Sequence, residues 1–184
     1  MSGPVTLRPA SRDDVPRLSA LIVESARELS RGFYTPAETE SAIRYVFGVD
    51  TALVDDGTYL VAEIDGALAG CGGWSRRDTL YGGDQRPVGE ATLLDPAADP
   101  ARIRAFFVAP WAARRGVGRA ILAACAAAAK DAGFRDLTLM ATLPGVPFYA
   151  ALGFRADEDV VDVLPDGTPL RFIRMSRGIA AGAA

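Results

Sequence analysis

The chain has 184 residues, 49% of them hydrophobic, a net charge of −3, two cysteines and no histidine. That length and composition suit a single domain with a full core, and the small negative charge gives no general attraction to nucleic acid. The absence of histidine excludes histidine-based triads, imidazole metal ligands and an imidazole general base.

No metal site is expected, because Cys71 and Cys125 each lie in an apolar stretch and read as buried small hydrophobes. Met1 to Pro4 show no charged region followed by an apolar core, so no signal peptide is expected, and no window reaches the roughly 18–20 apolar residues of a membrane span. The expectation is a cytoplasmic protein with no membrane partner.

Val5 to Arg8 reads as a short strand. Ser11 is placed to cap a helix whose apolar positions, Val15, Leu18, Leu21, Ile22, Ala26 and Leu29, recur at helical spacing. Gly32 ends that pattern. Thr35-Pro36-Ala37-Glu38 then carries a capping residue, a first-position proline and an acid, and predicts a second helix to about Phe47. Tyr59 to Ile64 and Leu68 to Trp74 read as strands joined by Asp65-Gly66, a hairpin signal. Arg76 to Pro100, rich in Gly, Pro and Asp, reads as an irregular excursion between strands.

Ile103 to Val108 is the next strand, and Val117 to Ala132 a helix with Val117, Ile121, Ala124, Cys125 and Ala128 on one face, stopped by Gly133. Leu137 to Ala141 is a strand and Pro147 to Leu152 a short helix ended by Gly153. Phe154 onward and Leu170 to Met175 form a last strand pair around Pro165-Asp166-Gly167. The pattern predicts an α/β (α+β) fold with a mixed sheet, one domain over residues 1–176, and a disordered tail over residues 177–184.

The stretch Arg114-Arg115-Gly116-Val117-Gly118-Arg119 joins a strand to a helix N-terminus. Amides at such a turn, the helix dipole and three arginines suit a phosphate group. The third glycine of a dinucleotide fingerprint would fall at Ile121, and no Gly-Lys-Ser/Thr triplet follows. The residues alone leave open a tight strand-to-helix turn that uses glycine for backbone freedom and carries surface arginines. Charge is uneven around it: residues 101–119 hold five arginines and no acid, and residues 157–166 hold five acids and no base. That polarity suits a small anion better than a polyanion.

Phe106-Phe107-Val108-Ala109-Pro110, the arginine-flanked glycine turn through Leu122, and Pro147-Phe148-Tyr149-Ala150-Ala151-Leu152-Gly153-Phe154 together resemble the GNAT family of acetyl-CoA-dependent N-acetyltransferases. The order of elements agrees over nearly the whole chain. The resemblance implies a strongly twisted mixed sheet of six to seven strands with about four helices, and acetyl-CoA as cofactor. It implies that the strand ending at Val108 splays at a bulge, with Phe106, Phe107 and Val108 along the pantetheine arm. Arg114, Arg115, Gly116, Val117, Gly118, Arg119 and Ala120 would grip the pyrophosphate. Thr142 and Phe148 would contact the cofactor, and Tyr149 would protonate the leaving thiolate.

Three departures from the family pattern stand out. Ala113 replaces a usual Gln or Arg, Thr142 replaces a usual asparagine, and no carboxylate lies between Ile103 and Val108. Glu63, Glu28 or Asp99 could serve as base through water, and an amine of low pKa would need little help. Glu28, Phe33, Tyr34, Trp74 and Tyr81 are the candidates for lining the acceptor pocket.

The expected activity is direct acetyl transfer to a small-molecule or peptide amine. The alternatives are a non-catalytic acyl-CoA-binding or sensing module on the same fold and, more distantly, a nucleotide-binding domain. The last strands leave room for a homodimer.

Overall fold

The protein is described by a computed structural model covering residues 3–86 and 89–180. Seven strands form one sheet: β1 (Val5–Pro9), β2 (Tyr59–Ile64), β3 (Ala67–Ser75), β4 (Ala101–Val108), β5 (Asp136–Thr142), β6 (Arg155–Val163) and β7 (Pro169–Gly178), in spatial order β1-β2-β3-β4-β5-β7-β6. All neighbours run antiparallel except β4 and β5. The helices among the described residues are α1 (Val15–Leu29), α2 (Pro36–Tyr45), α3 (Thr51–Asp55), α4 (Val117–Asp131) and α5 (Val146–Ala151).

Local chemistry accounts for most boundaries. Asp14 accepts the Ser11 amide and opens a 3-10 turn that runs into α1. Thr35 and Glu38 form a reciprocal capping box at α2, with Pro36 at the first position. Asp65 and Gly66 both take positive φ, as the tight turn between β2 and β3 requires. Gly133 and Gly153, at φ +94° and +87°, end α4 and α5.

Among the described residues α3, five residues long and capped by Asp50, is too short to show a period in the sequence. The sequence reading needs three corrections. On α4 the buried residues are Val117, Ile121, Leu122, Cys125, Ala126 and Ala129, so Ala124 and Ala128 lie partly buried at the edge of the face rather than at its centre. Strand β7 continues through Arg177 and Gly178, which pair with Leu137 and Asp136, so the expected tail begins later; residues 181–184 lie outside the described residues. The helix expected to reach Phe47 ends at Tyr45.

The core spreads over both faces of the sheet. Gly70 admits Val117 of α4 on one face: a Cβ there would lie 2.7 Å from a Val117 methyl. On the other face Gly73 admits the Tyr59 ring, 2.8 Å from such a Cβ. Among the described residues no helix is long and apolar enough to cross a membrane, and no group of His, Cys, Asp or Glu is arranged to hold a metal.

Candidate active site

The central strand β4 carries an extra residue. Cys71 opposes Phe107 and Gly73 opposes Arg104, so Gly72 alone faces Ala105 and Phe106. Ala105 adopts φ +52°, which costs a non-glycine residue about 1–2 kcal/mol. Two contacts hold it there. The fully buried Tyr59 donates its hydroxyl to the Ala105 carbonyl at 2.9 Å. Gly72 leaves room for the Phe106 ring, whose nearest atom would lie 2.5 Å from a Cβ at that position.

Beside the bulge, Arg104 is only 3% exposed. Its guanidinium donates to Thr79 O at 3.1 Å, to Gly82 O at 2.7 Å and to Asp50 at 2.7 Å. Burial lowers its pKa against the opposing pull of Asp50.

A cleft opens next to this bulge. β4 and β5 pair only at Ala101–Leu137 and Arg102–Thr138, whereas β5 stays paired with β7 out to Thr142–Phe172. From Ile103 onward the β5-facing edge of β4 has no strand partner among the described residues. The bulge also divides two neighbouring aromatics: Phe106 turns toward Tyr149 at 6.4 Å between ring centroids, and Phe107 toward Phe47 at 5.7 Å.

The turn after β4 places a second group of atoms at the mouth of the cleft. Arg114 and Gly116 take φ +65° and +83°. Ala120 N–H bonds Gly116 O at 2.9 Å, the first intrahelical bond of α4. The amides of Val117, Gly118 and Arg119 therefore have no helical acceptor and point out of the N-terminus. Ala120, expected among the phosphate contacts, has already spent its amide inside the helix.

Gly118 serves packing as well as approach, since a Cβ there would lie 2.9 Å from the Phe148 ring of α5. Arg114, Arg115 and Arg119 are exposed and form no salt bridge among the described residues. Arg115 lies 5.4 Å over the exposed Trp111 ring.

Tyr149 is 8% exposed, with Phe148, Phe154 and Phe106 around its ring at 5.0, 5.6 and 6.4 Å. Its hydroxyl has no protein hydrogen bond among the described residues. Burial, with a smaller contribution from Cys125, holds the phenol well above its ordinary pKa. Thr142 Oγ1 and the Tyr149 ring both border Gly145, so the two candidates flank one point at the end of β5.

The acceptor candidates do not converge as a set. Tyr34 spends its hydroxyl on backbone, donating to Arg171 O at 2.5 Å and accepting from Leu143 N at 3.0 Å. Tyr81 covers Phe172 at 5.1 Å and donates to Asp162 at 3.0 Å, with Arg86 over its ring. These two tyrosines border the β5–β7 wall of the cleft.

Trp74 lies elsewhere, packed on Phe134 at 6.0 Å and paired with Ile103 at the closed end. β3 runs antiparallel to β4, so its C-terminal end lies away from the opening. Glu28 is exposed on α1 and bound to Arg31 at 2.8 Å, and Phe33 is exposed. The other base candidates are also engaged: Glu63 with Arg8 at 3.2 Å near the β1 edge, and Asp99 with the Asp95 amide at 2.8 Å before β4.

Sequence reasoning missed Tyr59, whose role depends on a contact 46 residues away. It counted Arg102 and Arg104 only in the positive stretch of residues 101–119 and gave neither a role, although two charges spaced by two in an otherwise apolar strand were a readable signal.

A model of the acetyltransferase (GNAT) family matches residues 23–154. No curated protein matches the sequence. The fold is similar to a GCN5-related N-acetyltransferase from Rhodopseudomonas palustris, at 21% identity and TM-score 0.71, covering 97% of this chain and 98% of that one. It is similar to the PaiA N-acetyltransferase from Thermoplasma acidophilum in complex with coenzyme A, at 16% identity, TM-score 0.62, and 95% and 99% coverage. A ribosomal-protein-alanine N-acetyltransferase from Brucella melitensis is similar at 18% identity, TM-score 0.60, and 94% and 99% coverage. At these identities the likeness is one of fold.

Proposed function

The chain belongs to the acetyltransferase (GNAT) family, and we propose that it transfers an acetyl group from acetyl-CoA directly to an amine in a ternary complex. The observation that carries this reading is the juxtaposition of the splayed, bulged β4 with Tyr149, whose ring lies 6.4 Å from that of Phe106. The residues present fit the cofactor. A strand edge without a partner among the described residues suits the amides of a pantetheine arm, and the open N-terminus of α4 with three arginines that form no salt bridge among those residues suits a pyrophosphate. The coenzyme A complex of the PaiA relative supports the same assignment.

Acetyl-CoA supplies an activated thioester, which the amine attacks and from which the thiolate leaves. The protein's own contribution is positional and electrostatic. The β5-facing edge of β4 from Phe106 to Val108 would hold the arm in strand fashion, and the Val108 amide, on the edge turned away from β3, would face the thioester oxygen, where negative charge develops, whereas the Phe107 amide lies on the β3 side. Arg114, Arg115 and the amides of Gly116 to Arg119 bind phosphate oxygens. Phe148 packs beside the thiol arm, with Thr142 nearby.

Tyr149 Oη gives its proton to the sulfur as charge builds there. The same apolar surroundings that raise the phenol pKa also disfavour a free thiolate, so burial weakens the acid and raises the need for a proton together. The amine's own proton leaves to water and restores the phenol. Direct transfer is further supported by the cysteines: both are buried, with burial pushing each thiol up to about 12, which makes a covalent intermediate unfavourable.

A second reading, a non-catalytic acyl-CoA-binding module, is favoured by one observation: β4 presents two arginines and no carboxylate. Calorimetry with coenzyme A and a thiol-release screen of acetyl-CoA against an amine library separate the readings. Binding with release supports transfer, binding without release supports the module, and no binding defeats both.

A further inference from the structure

Strand β5 stops one position before its register requires. Its ladder with β7 runs from Asp136–Gly178 to Thr142–Phe172, so Leu143 and Arg171 stand where the next pair would form. The Leu143 N–H and the Arg171 carbonyl do not bond each other. The Tyr34 hydroxyl lies between them, accepting from Leu143 N at 3.0 Å and donating to Arg171 O at 2.5 Å. A two-step bridge through a side chain replaces the next hydrogen bond of the ladder.

Tyr34 belongs to the loop between α1 and α2, and its backbone is fixed from both sides. Its amide and that of Phe33 bond Ser30 O at the end of α1, and the capping box of α2 starts at the next residue, Thr35. The side chain is buried. Burial pushes the phenol up to about 12, so the hydroxyl keeps the proton that it donates to Arg171.

Leu143 leads directly to the proposed acid. It opens a 3-10 turn, Leu143–Gly145, whose closing bond from Val146 N to Leu143 O runs into α5. Tyr149 is the fourth residue of that helix. The turn is packed tightly beneath it: a Cβ on Gly145 would lie 3.2 Å from the Tyr149 ring and 3.4 Å from Thr142 Oγ1. With no loose segment between Leu143 and Tyr149, a shift of the Leu143 amide is passed on to the phenol.

We propose that Tyr34 is a positioning residue for the transfer reaction: its hydroxyl, wedged between β5 and β7, sets the start of α5 and so aims Tyr149 at the cleft. Without the wedge, a direct Leu143–Arg171 bond would draw the turn toward β7 and away from β4, because one hydrogen bond spans less than two. The hydroxyl proton of Tyr34 is spent on the backbone, so this role is separate from the acceptor contact expected of that residue. The inference rests on the reading of Tyr149 as the acid.

Tyr34→Phe keeps the ring and removes only the wedge. Thiol release from acetyl-CoA is followed with the best amine of the library, well below the melt, and rates are counted per coenzyme A site found by calorimetry. The value of kcat should fall about 10- to 100-fold, the cost of a displacement near 1 Å. Coenzyme A affinity and KM for acetyl-CoA should change far less. In the Tyr149→Phe background the same substitution should cost about twofold at most, since it acts through a hydroxyl already removed.

A second readout needs no acceptor. The chain has five tyrosines, so carbon-13 at the ring carbon bearing the hydroxyl gives five signals, each assigned by its own phenylalanine variant. Tyr34→Phe should move the Tyr149 signal and leave those of Tyr45 and Tyr59 in place.

A wild-type kcat in Tyr34→Phe, an effect of full size in the Tyr149→Phe background, or an unmoved Tyr149 signal would overturn the assignment. A wild-type kcat in Tyr149→Phe alone would instead sink the acid reading, and this inference with it.

Discussion

Replacing Tyr149 by phenylalanine separates chemistry from packing more cleanly than any other change here. The ring keeps its three edge-on partners, Phe106, Phe148 and Phe154. The only group removed is a hydroxyl with no protein hydrogen bond among the described residues, so stability should change by no more than about 0.5 kcal/mol. Coenzyme A affinity should also hold, because the grip on its phosphates lies at the α4 N-terminus.

Turnover is the quantity at risk. A positioned general acid contributes about 10²–10⁴-fold, or about 2.7–5.4 kcal/mol of barrier. The assay is thiol release under saturating acetyl-CoA, beside calorimetry and a thermal melt. Burial holds the phenol above its ordinary pKa, so it stays protonated through pH 9 and adds no falling limb to the wild-type rate below that pH. A variant that keeps wild-type kcat would remove Tyr149 from the mechanism, and one that loses coenzyme A binding would make its role structural.

Tyr59→Phe should strand the Ala105 carbonyl, lower stability by about 1–3 kcal/mol and raise KM for acetyl-CoA; an unchanged melt and KM would show that the bulge does not depend on that hydroxyl. Gly118→Ala places a methyl 2.9 Å from the Phe148 ring, an overpacking cost of about 1–3 kcal/mol that should weaken coenzyme A binding, and Gly118→Glu should abolish it. Tight calorimetric binding by the glutamate variant would reject the phosphate turn.

Stability should fall above pH 9. Burial pushes the Cys71 and Cys125 thiols up to about 12, so above 9.0 the unfolded chain gives up protons that the folded chain keeps. Each thiol then removes about 1.4 kcal/mol per pH unit until the pH nears 12. Melts of Cys125→Ala should show a shallower alkaline slope than wild type, and parallel slopes would contradict the burial argument.

What could be read from the chain was what neighbouring residues decide among themselves. Thr35-Pro36 with Glu38 starts a helix, Asp65-Gly66 turns a hairpin, and Gly133 and Gly153 stop helices through positive φ, all within a few residues. The glycine turn before α4 was visible for the same reason, because helix N-terminal amides and their charges are set by adjacent positions. Those local signals, in order, were enough for the fold.

The site itself needed the folded molecule. Ala105 has no reason of its own to adopt φ +52°; the mismatch with β3 and the hydroxyl of Tyr59 put it there. The cleft exists because β5 follows β7 after leaving β4, a choice made between strands distant in sequence. Trp74 was misplaced because strand direction, not composition, decides which end of the sheet a residue occupies. Arg102 and Arg104 are alike in sequence, yet Asp50 neutralises only one of them. Charge in a strand can be read residue by residue, but its partner is fixed only when distant segments pack.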